Sequence, residues 1–212
     1  MNIKTFVFNH FSENTYVVSD TNAGKCAIID PGCFFDQEKQ ELKNYITGEN
    51  LQVESILFTH CHLDHAFGAR FVAREFPQAK ICAHRNEQMF IDDALNQSLR
   101  FGINMEQPPQ ITHYVNNDDI IRIGAIELQA IFVPGHSPGG LCFYNAANGV
   151  LFSGDMLFQN SVGRSDLPGG NHSVLIDSIK KHLLCLPNET IVYCGHGPST
   201  TIKSERDTNP FL

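Results

Sequence analysis

The chain has 212 residues, 15 basic against 23 acidic side chains, a net charge of -8 and a hydrophobic share of 42%. That length is expected to form one domain spanning residues 1–212 with a sizeable core, and the absence of a Lys/Arg cluster argues against a nucleic-acid partner, which needs a basic face to neutralise phosphates. No run approaches the roughly 18 apolar residues of a membrane span and the first ten residues lack the basic-then-apolar pattern of a leader, so a cytoplasmic protein with no membrane partner is expected.

Three short strands are expected first, at Ile3 to Asn9, Thr15 to Asp20 and Lys25 to Asp30, separated by turn residues. After the turn Asp30-Pro31-Gly32, the spacing of Leu42, Tyr45 and Ile46 predicts a helix over 37–47, stopped by Gly48-Glu49-Asn50. Val53 to Phe58 reads as a buried strand. It runs into Thr59-His60-Cys61-His62-Leu63-Asp64-His65, and a helical pattern follows from Ala66 to Phe76, ended by Pro77. Three histidines and an aspartate crowded onto a strand-to-helix turn are what a metal site needs, because a turn aims neighbouring side chains at one point. Four such groups left without a ligand would have to be buried or paired at real cost.

Lys80 to Ala83 is a further predicted strand, and Asn86 to Phe101 a longer helix. Residues 103–119 form a polar connection with a short strand at Ile111 to Val115. Strands then dominate, at Ile120 to Ile123, Ile126 to Val133, Leu141 to Asn145 and Val150 to Ser153. The helical spacing returns over His172 to Leu186, Thr190 to Cys194 is a last strand, and Thr200 to Arg206 a last helix. This order suggests two sheets covered by helices. The seven cysteines include no C-x-x-C pair and sit mostly inside apolar runs, so they read as small buried hydrophobes in a reducing compartment. Cys61, between two ligand-type histidines, is expected to point away from them.

Four further candidates stand beside glycine at the ends of apolar runs: Gly135-His136, Gly154-Asp155, Gly163-Arg164 and Gly195-His196. Glycine-rich turns on one sheet edge deliver such side chains to one cleft. With these in place the chain resembles the metallo-β-lactamase fold superfamily, in H-x-H-x-D-H followed in order by Gly-His, Gly-Asp and Gly-His. Within it the chain most resembles the short glyoxalase II-like hydrolases of bacteria. The resemblance implies an α/β chain folded as a four-layer αββα sandwich. It implies two divalent metal ions, zinc in the first place, with iron and manganese also suited to such donors. His60, His62 and His136 would hold one ion and Asp64, His65 and His196 the other. Asp155 would bridge both together with a hydroxide, making Asp64 and Asp155 the catalytic carboxylates. The implied activity is hydrolysis of a small-molecule thioester of the S-acylglutathione type. Thiolate, with a pKa near 8.5, leaves with little need of an acid.

Full-length glyoxalase II carries a basic C-terminal region that grips glutathione, and little of this chain follows His196. Arg164 is therefore expected to bind the substrate's carboxylate instead. The rival reading is a persulfide dioxygenase, which looks similar and uses a single iron held by two histidines and an aspartate of the same set. Asp30 reads as a turn former or as a hydrogen-bond partner of the histidine turn. His10, His84, His113 and His182 read as ordinary surface or core residues. Met89, Phe90 and Phe101 read as core positions on the middle helix rather than as pocket lining. Oligomeric state is not legible.

Overall fold

A computed structural model describes residues 1–212. Strands β1 (Asn2–Phe8), β2 (Glu13–Asp20) and β3 (Lys25–Ile29) form an antiparallel meander, and helix α1 (Asp36–Gly48) crosses to β4 (Gln52–Leu57), which lies parallel to β3. Two short helices, α2 (Leu63–Ala66) and α3 (Ala69–Glu75), lead to β5 (Lys80–Ala83), parallel to β4. A 3₁₀ turn and helices α4 (Gln88–Asp92) and α5 (Ala94–Arg100) precede the two-residue edge strand β6 (His113–Tyr114), which completes a six-stranded sheet in sequential order.

The second sheet is built from β7 (Ile120–Ile123), β8 (Ile126–Phe132), β9 (Leu141–Asn145) and β10 (Val150–Gly154). A small hairpin of β11 (Leu157–Phe158) and β12 (Ser161–Val162) and then helix α6 (His172–Ser178) follow. β13 (Ile191–Cys194) and β14 (Thr200–Thr201) close the sheet in the order β14-β13-β10-β9-β8-β7, and α7 (Ile202–Thr208) ends the chain.

Alternation along the strands sorts the buried residues into layers. Val17, Cys26 and Ile28 face α1 and α3, in a cluster with Leu42, Ile46 and Val72. Their neighbours Tyr16, Val18, Ala27 and Ile29 face the other sheet and meet Leu128, Ala130, Leu141, Phe143 and Phe152. On the far side Cys142, Leu151 and Val192 pack against Leu175, Ile179 and Ile202. Two sheets packed face to face with helices outside each give the αββα order, and the inner strands β3, β9 and β10, buried on both faces, read as near-continuous apolar runs.

Three predicted helices are broken in the structure, and the one expected from Ala66 to Phe76 instead starts at Leu63 and is interrupted at Phe67-Gly68 between α2 and α3. The segment expected from Asn86 to Phe101 opens as a 3₁₀ turn and divides into α4 and α5 at Asp93, whose ψ of 5° leaves the helical range. The one expected over His172 to Leu186 runs as α helix only to Ser178 and then widens into a π turn over Ile179–Leu183. No helix is long and apolar enough to cross a membrane.

Candidate metal centre

β4, β8, β10 and β13 deliver the chemistry. β8 and β10 each run antiparallel to β9, and β13 runs parallel to β10, so these three strands of the second sheet end at one edge. Their exits carry His136, Asp155 and His196, while the exit of β4 carries His60 to His65. The bridge Glu13↔His196 and the bond from Asn14 N–H to the Gly195 carbonyl at 2.7 Å join the start of β2 to the exit of β13. A bulge between Phe152 and Gly154 turns the end of β10 and re-aims Asp155. Gly154 takes φ +52°, and a Cβ there would collide with Thr59 Oγ1, so glycine is required on both counts.

The five histidines of the motif set converge. His136 Nε2 lies 3.1 Å from His60 Nε2 and 3.0 Å from His62 Nδ1. His196 Nε2 lies 3.1 Å from Asp64 Oδ2, and His65 Nε2 lies 3.6 Å from the same oxygen. Two donor groups result: His60, His62 and His136, and Asp64, His65 and His196. Asp155 stands between them. Its Oδ1 is 3.3 Å from His65 Nε2, and its Oδ2 is 3.6 Å from His196 Nε2 and 3.8 Å from His136 Nε2.

Protein oxygens fix four of the rings from behind. His60 Nδ1 donates to Thr59 Oγ1 at 3.1 Å, His65 Nδ1 to Asp30 Oδ2 at 3.1 Å, His136 Nδ1 to the Arg164 carbonyl at 2.7 Å and His196 Nδ1 to the Phe11 carbonyl at 3.0 Å. Each ring therefore turns its Nε2 lone pair inward, the arrangement in which a second hydrogen bond sets a ligand's tautomer. Asp30 anchors this scaffold. Its Oδ1 accepts from Thr59 N–H at 2.7 Å and its Oδ2 from Thr59 Oγ1 at 2.6 Å, while its own backbone is held at φ +51°.

Electrostatics separate the two groups. Burial, reinforced by neighbouring imidazoles, pushes His60 well below the usual histidine range and His62 down to about 3, and His136 is lowered by burial too. These rings are neutral donors. Burial also opposes charge on His65, yet Asp155 and Asp64 outweigh it and hold its pKa well above the ordinary value; His196 is raised as well, against burial, by its bond to Asp64. Burial disfavours ionised Asp64 and Asp155, but His65 foremost keeps both below the usual carboxylate range.

The donor set fits divalent cations. His60 Nε2 and His136 Nε2, both lone-pair atoms by virtue of their Nδ1 bonds, stand 3.1 Å apart and repel one another unless positive charge lies between them. Bonds of about 2.0 Å at a tetrahedral angle place such nitrogens about 3.3 Å apart. His65 Nε2 and Asp155 Oδ1 are buried with no hydrogen-bond partner, the state of atoms reserved for a ligand.

A cavity of about 480 Å³ opens above these groups, lined by His62, Asp64, His136, Asp155 and His196 at its floor. Its walls include Phe11, Leu63, Met89, Phe90, Phe101 and Leu167, with Arg100 and Arg164 among the charged residues. Met89 is 49% and Phe101 68% exposed, so both line the pocket instead of packing in the core as expected from the sequence. Cys61 is buried in the layer under α1 and α3, away from the donors. Arg164 reaches the cavity, but its guanidinium pairs with Asp166 through two bonds of 2.8 Å, and its carbonyl is what orients His136. His172 is exposed at the start of α6, outside the cavity. Sequence reading missed the carbonyls of Phe11 and Arg164, which no side-chain motif marks, and the buried carboxylates Glu13 and Glu87.

The comparisons agree with this geometry. The profile of the metallo-beta-lactamase superfamily matches residues 9–196. The chain is 40% identical over 199 residues to a probable metallo-hydrolase, YqgX, of Bacillus subtilis, covering 93% of this chain and 90% of that protein. It is 33% identical over 214 residues to the hydroxyacylglutathione hydrolase GloC of Haemophilus influenzae, covering 100% and 98%. Among solved structures, the BLEG-1 B3 metallo-beta-lactamase superposes with a TM-score of 0.90 at 38% identity, covering 100% and 99% of the two chains. TTHA1623 in a di-iron-bound form follows at 0.86 and 34%, covering 99% and 100%, and ETHE1 from Myxococcus xanthus at 0.81 and 25%, covering 99% and 84%. The chain belongs to the metallo-beta-lactamase superfamily and is hydrolase-like, with a histidine–aspartate cluster that could hold divalent metal.

Proposed function

We propose that this superfamily member hydrolyses thioesters with two divalent ions, one held by His60, His62 and His136 and the other by Asp64, His65 and His196, with Asp155 shared. The single observation that carries the reading is the position of Asp155, with oxygens 3.3 Å from His65 Nε2 and 3.8 Å from His136 Nε2, facing both donor groups at once. Bound divalent ions supply Lewis acidity and lower the pKa of a water from about 15.7 to about 7.

The chain's own residues do the rest. Asp64 and Asp155, held ionised, orient the attacking water at the cavity floor. The apolar wall of Met89, Phe90 and Phe101 seats the substrate and limits access of bulk water. The water oxygen loses a proton and adds to the carbonyl carbon, the C–S bond breaks with its electron pair leaving on sulfur, and the products are a carboxylate and a thiolate with the released protons passing to solvent. Outside the metal-donor set the cavity lining has Asp93 as its one carboxyl group and no lysine, tyrosine or cysteine to protonate a poorer leaving group. A thiolate needs no such acid, whereas an amide nitrogen does, which favours thioesters over lactams. Zinc suits the donors, as does iron, the metal bound in the TTHA1623 structure.

Arg164 remains the proposed contact for an anionic group of the substrate, weakened by its pairing with Asp166. Arg164→Ala should raise KM for carboxylate-bearing thioesters only a few-fold and leave kcat and metal content alone; an unchanged KM would remove the side chain from the site. The decisive panel is S-lactoylglutathione and simple acyl thioesters, a lactam, and oxygen uptake with glutathione persulfide, all on metal-loaded protein. Thioester turnover is expected. Silence on thioesters alongside lactam cleavage or oxygen consumption would overturn the reading.

A further inference from the structure

Glu87 has no part in the reaction above, yet its side chain is fully buried. It stands on the 3₁₀ turn after β5, an element that contributes no donor to the metal centre. Its Oε2 accepts from Cys61 N–H at 2.7 Å, in the stretch between His60 and His62. Its Oε1 accepts from Gly139 N–H at 2.7 Å, in the loop that carries His136. Asn86 reinforces the second tie, donating from Nδ2 to the Pro138 carbonyl at 3.0 Å. Gly139 permits the approach, because a Cβ there would lie 2.7 Å from Oε1.

Such a carboxylate works against stability. Burial pushes its carboxyl up to about 7, while the Cys61 and Gly139 amides pull the other way. A position needed only for packing would hold an apolar side chain, and a buried carboxyl that satisfies two loop amides marks a site where geometry matters more than stability.

We propose that Glu87 is a positioning residue of the metal centre, one carboxylate that ties the His60–His62 turn to the His136 loop. It thereby holds the three imidazoles of that donor group at the separation a single cation requires. The inference rests on the metal-site part of the proposed function and is independent of the substrate.

Glu87→Gln tests it, since the amide keeps the size of the side chain but turns an NH₂ toward one of the two N–H donors. The readouts are Zn²⁺ affinity of the loaded protein by chelator competition, the absorption bands of the Co²⁺ form, and far-UV circular dichroism. The expected result is a folded variant whose Zn²⁺ affinity drops about 10–100-fold, with shifted Co²⁺ bands, the scale usual for outer-shell partners of metal ligands. A folded variant with wild-type affinity and unshifted bands overturns the proposal. Should the variant fail to fold, amide hydrogen exchange on the loaded wild-type chain decides. Cys61 and Gly139 N–H must be among the slowest in their loops, and exchange at the rate of exposed amides overturns it. A wild-type chain that binds no Zn²⁺ or Co²⁺ would instead sink the metal reading itself.

Discussion

Asp30 shows how one residue sets the site. Three bonds to its carboxylate fix the Thr59 peptide, the Thr59 hydroxyl and the His65 ring. Two of these act on the motif at one remove, since Thr59 Oγ1 in turn receives His60 Nδ1. Asp30→Ala should leave a buried Thr59 N–H unsatisfied, costing about 1–3 kcal/mol of stability by denaturant titration. It should also weaken metal binding about 10–100-fold, because His65 loses its orienting acceptor. A variant of wild-type metal affinity would show that His65 is aimed by packing alone. The ligand-type residues were legible because histidine and aspartate are conspicuous in short order. The groups that aim them were legible only where they are side chains, as with Asp30 at the turn that ends β3. A backbone carbonyl such as that of Arg164 or Phe11 leaves no mark in a sequence.

At the scale of elements, α4 and α5 are where sequence and structure part. The segment is interrupted at Asp93, and Met89 before the interruption and Phe101 after it both line the cavity. The periodicity of apolar residues is the same for a straight helix and for two short ones, and only the pair Asp92-Asp93 hints at the join. Because Met89 and Phe101 are half or more exposed, replacing each with alanine should change stability by under about 0.5 kcal/mol. The same variants should raise KM for acyl thioesters several-fold, measured by initial rates, since each buried methylene contributes about 0.8 kcal/mol to binding. Unchanged KM for both would move the substrate off this wall.

For the whole molecule, the two-sheet arrangement places four strand exits at one edge, and that is why residues from His60 to His196 meet. The apolar strands and their order were legible, because strands buried on both faces read as continuous hydrophobic runs. Which strand lies beside which was only partly legible, since the first sheet follows chain order but the pairing of β10 with β13 skips the β11–β12 hairpin. Phe143, fully buried between the sheets, should carry a large share of their adhesion. Phe143→Ala should cost about 3–5 kcal/mol in chemical denaturation, and a loss below about 1 kcal/mol would mean the sheets pack loosely there.

The central claim is a site built for two ions around a shared Asp155. Elemental analysis of metal per chain, on protein purified from its native host without added metal, tests it most directly. The account predicts close to two divalent ions per chain. One iron per chain, or none, would contradict it.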